Sequence, residues 1–126
     1  MLVLIDTSFI FECAKNRIDL FSELERILDG KHTIAILDRT LDELENIKER
    51  GGRDAETAKL AKTLIQAKKI KVIKTKGGHT DDILLDRGGK NTLIATMDRA
   101  LKRKLKEKGV DIITIRGKKI LERVHS

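Results

Sequence analysis

An α/β fold is predicted by three observations: short apolar runs alternate with amphipathic segments along the whole chain, the first run (Leu2-Val3-Leu4-Ile5) is apolar at every position, and nothing repeats. A strand covered on both faces reads as a continuous apolar run, and strands joined by helix-length crossovers lie parallel with helices on both faces. The expectation is a single domain over residues 1–126, three layers deep, with a central parallel sheet of about five strands.

Each element has its own reason. Leu2 to Ile5 is a short buried strand, and Asp6-Thr7-Ser8 offers N-cap chemistry for a helix through about Ala14. Leu20, Phe21, Leu24, Ile27 and Leu28 recur at helical spacing, predicting a helix from Asp19 to Leu28 with Gly30 as its stop. Thr33 to Leu37 is the next strand. Leu41, Leu44 and Ile47 mark one face of a helix from about Arg39 to Glu49, which Gly51-Gly52 terminates. Asp54 to Lys69 is helical by the period of its Ala, Leu and Ile residues and its abundance of good helix formers. Ile70 to Ile73 is a third strand. After Lys76-Gly77-Gly78, Thr80 is expected to cap a helix whose first turn holds Asp81 and Asp82, where negative charge suits the helix dipole. Asn91 to Thr96 is the fourth strand, Asp98 to Lys108 a basic helix ended by Gly109, and Val110 to Ile115 the fifth strand before a short charged tail.

Composition narrows the classes. The chain carries 27 Lys and Arg against 20 Asp and Glu, a net charge of +7, which favours a polyanionic partner. Its 40% hydrophobic content, in periodic segments, separates it from disordered chains of similar charge. A lone Cys13 makes no internal disulfide, no leader pattern opens the sequence, and no apolar run approaches the 18 or so residues of a membrane span; a cytoplasmic protein with no membrane partner is expected. The absence of Pro, the single Gln66 and the heavy Lys/Glu/Arg load resemble a thermophile's surface chemistry. No glycine-rich phosphate loop is present, and His32, His79, His125 and Cys13 lack zinc-ligand spacing, so nucleotide-driven, zinc and cysteine chemistries lose their usual signatures.

Acidic residues stand where strands hand over to helices. Asp6 ends the first apolar run, and Asp98 follows Leu93-Ile94-Ala95 after only Thr96 and Met97. Open parallel sheets bind ligands beyond the carboxyl ends of their strands. Carboxylates converging there repel by roughly 1–4 kcal/mol per close pair, a cost that a divalent cation removes.

The order Asp-Thr-Ser after the first strand, Leu-Asp-Glu-Leu after the second, Thr-Asp-Asp-Ile-Leu-Leu, then Ile-Ala-Thr-Met-Asp-Arg-Ala-Leu-Lys resembles the PIN-domain ribonucleases. The resemblance runs through Gly109-Val110-Asp111-Ile112-Ile113-Thr114-Ile115-Arg116 and so covers essentially the whole chain. It implies a strand order 3-2-1-4-5 and assigns Asp6, Glu43, Asp81 and Asp98 as the catalytic, metal-holding acids. It further implies Mg²⁺ or Mn²⁺ as cofactor and hydrolysis of RNA phosphodiester bonds by metal-activated water. Hard cations with oxygen ligands and several retained waters suit such a set. One position departs from the pattern: Met97 stands where the family usually has Asn, removing an amide that could orient the acids.

Ordinary roles compete at each position. Asp6 and Asp98 suit helix N-caps, Glu43 a solvated helix face like its neighbours Asp42 and Glu45, and Thr7 and Thr96 either orient carboxylates or satisfy local backbone. Asp82 is the lesser candidate beside Asp81, because adjacent helix positions point roughly 100° apart. Arg99, Lys102, Arg103 and Lys106, in the densest basic segment, are the expected RNA contacts, though a basic helix face is also commonly just solvated. With three Phe and neither Trp nor Tyr, the chain lacks stacking platforms for bases, so recognition should rest on backbone charge, with single-stranded RNA the expected partner.

Within the family the motifs read most like the ribosomal-RNA processing branch, with a toxin-type ribonuclease of a toxin–antitoxin pair, or a catalytically weak RNA-binding scaffold, as alternatives. The corresponding partners are a ribosome-assembly factor or an antitoxin. A homodimer is also expected, using apolar faces of the helices at Asp19–Leu28 and Asp54–Lys69.

Overall fold

The computed structural model describes residues 1–126. Its strands are β1 (Leu2–Ile5), β2 (Thr33–Leu37), β3 (Lys71–Ile73), β4 (Thr92–Ala95), β5 (Ile112–Arg116) and β6 (Ile120–Val124). Its helices are α1 (Thr7–Lys15), α2 (Leu20–Ile27), α3 (Asp38–Arg50), α4 (Gly52–Ala67), α5 (Thr80–Arg87) and α6 (Arg99–Lys108). The sheet order is β3-β2-β1-β4-β5-β6, the expected order with one strand added. The first five strands pair in parallel and β6 pairs antiparallel to β5.

The alternation of side chains along each strand sorts the core into two layers. Val3, Ile5, Ile36, Leu93, Ala95 and Ile113 face α1 to α4, where Phe9, Ile10, Leu24, Leu44, Ala61 and Ile65 complete one apolar cluster. Leu4, Ala35, Leu37, Ile94 and Ile112 face the other way, onto Leu84 of α5 and Leu101 and Leu105 of α6. β1, at the centre, has no exposed face: Val3, Leu4 and Ile5 are all fully buried.

Two expectations are corrected. The charged tail is β6, because Gly117 and Lys118 both take positive φ (60° and 58°) and Lys119 N–H returns to Arg116 C=O at 3.2 Å. Two successive left-handed residues make the tight reversal that matches the twist of a hairpin. Leu121 of β6 is buried, and α2 pins that strand: Arg26 donates to Leu121 C=O at 2.8 Å and Leu121 N–H donates to Glu23 Oε1 at 2.8 Å. The second correction concerns α5, whose N-cap is His79 without a side-chain cap bond; Thr80 is the first helical residue.

Of the expected association faces, α4 buries Ala58, Ala61 and Ile65 in the core and leaves Leu60 exposed. No helix is long and apolar enough to cross a membrane.

Gly88 closes α5 under the second apolar layer. A Cβ there would lie 3.0 Å from Leu105 Cδ2, 3.1 Å from Val110 Cγ1 and 3.2 Å from Ile94 Cγ1. Gly88→Ala is therefore expected to destabilise the fold by about 1–3 kcal/mol through overpacking, measured as a lower denaturant midpoint at unchanged slope.

Candidate active site

β1 delivers Asp6 to the carboxyl edge of the sheet. The ladder continues one residue past the strand, Asp6 N–H donating to Ala95 C=O at 2.8 Å, which fixes Asp6 beside Thr96. The carboxylate is mostly buried and takes three donors: Thr7 N–H at 2.8 Å on Oδ1, Thr96 hydroxyl at 2.8 Å and Ser8 hydroxyl at 3.4 Å on Oδ2. Asp6 thus performs the N-cap role and keeps lone-pair capacity for a cation, since a carboxylate offers about four acceptor sites.

The other acids arrive from separate elements. Glu43 lies on α3, half-buried, with the Thr7 hydroxyl in hydrogen-bonding reach. The Thr7 hydroxyl is also hydrogen-bonded to the buried Thr40 hydroxyl, 2.9 Å away, joining α1 to α3. Asp81 enters from the first turn of α5. Asp98 caps α6, its Oδ1 accepting Leu101 N–H at 3.1 Å, while its own N–H donates to Thr96 Oγ1 at 3.1 Å. Thr96 therefore joins the Asp98 backbone to the Asp6 carboxylate.

Electrostatics shows which acids share a field. Burial, first, and then the Asp81 charge push the Asp6 carboxyl above the ordinary carboxylate range, against the Thr96, Thr7 and Ser8 hydrogen bonds. Burial also raises Glu43, with Asp6 and Asp81 adding to it and the Thr7 hydrogen bond and Arg39 opposing. Asp6, Glu43 and Asp81 thus form one mutually repelling group. Asp82 is exposed and lines a different surface hollow with Lys74, Lys76, Asp86 and Arg87. Thr7 and Thr96 are both buried and both bonded to other side chains of this cluster, beyond local backbone satisfaction.

Sequence reasoning missed the residues that bring α5 to the sheet. Asp38 accepts Thr75 N–H at 3.1 Å and Thr75 hydroxyl at 2.6 Å. Arg39 donates to Gly78 C=O at 2.7 Å, Gly77 C=O at 3.0 Å and Thr75 Oγ1 at 3.2 Å. Together they clamp the segment before α5 against the start of α3, so Asp81 is held by a loop that carries no acid itself. Asp-Arg directly after a strand was the available signal, but it resembles any charged helix start. Ser8 and Thr40 were likewise hidden among common helix-terminus residues.

Met97 packs its side chain against the larger apolar cluster and gives its N–H to Ser8 Oγ at 3.3 Å. The backbone at this position therefore still supports the site while the side chain serves the core.

The donor set fits a hard divalent ion. All the ligating atoms on offer are carboxylate and hydroxyl oxygens, and the acids repel one another without a cation. No three His, Cys, Asp or Glu side chains are spaced as a ready-made metal cage. An ion such as Mg²⁺, which keeps several waters and is bound through few carboxylates plus phosphate, needs no such cage.

On the basic side, Lys102 is half-buried and donates to Thr114 Oγ1 at 2.6 Å, while Arg99, Arg103 and Lys106 are exposed along α6.

Because the Asp6 and Glu43 carboxyls are raised in the folded state, the fold holds protons more tightly than the unfolded chain between the ordinary carboxylate value and the raised one. Their contribution to metal-free stability accordingly falls as pH rises through that window. Asp6→Asn should flatten this fall and raise the melting temperature at neutral pH without metal, measured by paired thermal scans across pH. A sharp drop in melting temperature would instead make Asp6 a structural cap.

A family model described as a PIN like domain matches residues 3–118. The chain is 31% identical over 120 residues to Ribonuclease VapC4 of Methanocaldococcus jannaschii, covering 93% of this chain and 92% of that protein. Its fold is similar to the solved PIN domain endonuclease Utp24, with a TM-score of 0.75 and 29% identity over 99% of this chain and 93% of that one. VapBC2 from Rickettsia felis, solved bound to a DNA fragment from its promoter, shares the fold at a TM-score of 0.55 and 15% identity, covering 82% of this chain and 92% of that one.

Proposed function

The chain belongs to the PIN-like domain family, and from that premise we propose that it is a Mg²⁺- or Mn²⁺-dependent endoribonuclease acting on single-stranded RNA. The observation that carries the reading is the shared field of Asp6, Glu43 and Asp81 at the carboxyl edge of the sheet, in a protein of net charge +7.

Asp6, Glu43 and Asp81 would hold the ion, with Asp98 completing the acidic rim. When bound, the cation supplies Lewis-acid stabilisation of charge on the phosphoryl oxygens and activates water for in-line attack. Thr96 and Thr7 orient the carboxylates. Arg99, Lys102, Arg103 and Lys106 draw the RNA backbone along α6 towards the acids.

The biological role proposed is toxin-type, with a small antitoxin as partner, which the identity to Ribonuclease VapC4 supports over the ribosomal-RNA processing expected from the motifs. Processing remains the second reading, favoured by the match to Utp24. A neighbouring gene product that binds the protein and blocks cleavage would separate the two.

Mn²⁺ should raise the melting temperature of the wild type and support cleavage of an unstructured RNA. Asp6→Asn should lose at least a hundredfold in cleavage rate and most of the thermal shift. Full activity in Asp6→Asn would remove this acid from the site, and cleavage undiminished in EDTA would remove the metal.

Each phosphate contact on single-stranded nucleic acid contributes about 0.7 to the slope of log affinity against log salt. Replacing both Lys102 and Arg103 with Ala should reduce that slope by about 1.4, measured by fluorescence anisotropy across a salt series. An unchanged slope would take this face of α6 off the RNA path.

A further inference from the structure

Between α6 and the β5–β6 edge lies a cleft of about 180 Å³. Its cationic wall is Lys102, Arg103 and Lys106 from α6, and its floor is Val110, Ile112 and Val124. The small-molecule sites of proteins usually enclose about 300–1,000 Å³, so this cleft cradles part of a nucleotide and does not enclose a whole ligand. At 1.5 Å per helical residue, Lys102 stands about 6 Å and Lys106 about 12 Å along α6 from Asp98.

The walls are fixed in place. Asp111 accepts from Arg123 at 2.9 Å and from Ser126 N–H at 3.1 Å, and its Oδ2 lies 3.0 Å from His125 Nδ1, holding the end of β6 over the floor. Burial, and then Arg99, lower the proton affinity of Lys102, a cost that an anion in the cleft would relieve.

We infer that this cleft is a nucleotide subsite: the base and sugar of one RNA residue pack on Val110, Ile112 and Val124 while its phosphate meets Lys102, Arg103 and Lys106. The inference rests on the ribonuclease reading and specifies where the strand runs after the acids. The apolar surface is the deciding feature: Val124 supplies most of it, since Val110 and Ile112 are 3% and 7% exposed and show only their edges. A bare anion or an acidic side chain would use the three cations and leave the floor wet, whereas a nucleotide covers both. With no aromatic ring in the cleft, the base is held by aliphatic contact and sequence preference is weak.

The test is a heteronuclear NMR titration of the metal-free full chain with adenosine 5′-monophosphate, uridine 5′-monophosphate and inorganic phosphate in parallel. Both nucleotides should shift the amide resonances of Val110, Ile112, Val124 and His125, and phosphate should bind at least tenfold more weakly. Arg103→Ala, altered at an exposed position, should weaken nucleotide binding at least fivefold. Equal binding of phosphate, shifts confined to other surfaces, or tighter binding of a hexaglutamate peptide would each overturn the subsite. Nucleotide binding in the cleft by a protein that fails to cleave RNA would support the subsite and defeat the ribonuclease reading. Cleavage with no response in the cleft would do the reverse.

Discussion

The Thr96 hydroxyl, fully buried, donates to Asp6 at 2.8 Å and accepts the Asp98 N–H at 3.1 Å. A hydroxyl has one proton and two lone pairs, so this side chain can serve both acids at once. It does so because β1 and β4 are paired neighbours at the centre of the sheet, with Ile5 opposite Ala95. Everything at the carboxyl edge is referenced to that seam: Asp6 starts α1, Asp98 starts α6, and the two helices lie on opposite faces of the sheet.

Burial and like charge act on the acids in the same direction, while hydrogen bonds oppose them. For Asp6 the balance lifts the carboxyl above the ordinary carboxylate range despite three donors. The acids that share this field come from α3 and α5 as well as from the end of β1, so their approach is set by how those elements pack. Asp38 and Arg39 supply the rigidity that such an assembly needs, by fastening the loop before α5 to the start of α3.

The fold was legible because its signals are local. The continuous apolar run of β1, the helical periods and the glycine stops each act within a few residues, and Thr33–Leu37 emerged with the bounds read from the sequence. β6 was not legible because Glu122 and Arg123 break its apolar pattern and its partner, β5, had to be known first. Thr80 was read as a cap because Thr commonly is one; in the structure Arg39 engages the loop there instead, and the helix starts from His79. Adjacent Asp81 and Asp82 show the limit most clearly. Helical geometry says that they diverge, and only the placement of α5 on the sheet decides that Asp81 shares a field with Asp6 and Glu43 while Asp82 opens onto a separate hollow.

By itself the sequence determined the α/β class, the strand order through its family resemblance, and the short set of acids at strand-to-helix junctions, because periodicity, caps and motif order are properties of neighbouring residues. Tertiary structure alone decided which acids feel one another, that Ser8, Thr40 and Arg39 support them, that Met97 turns its side chain into the core, and that α6 and β6 enclose a basic cleft with an aliphatic floor. Those outcomes depend on residues far apart in the chain, Thr7 with Thr40, Asp6 with Thr96, Lys102 with Thr114, whose approach is set by sheet pairing and helix packing.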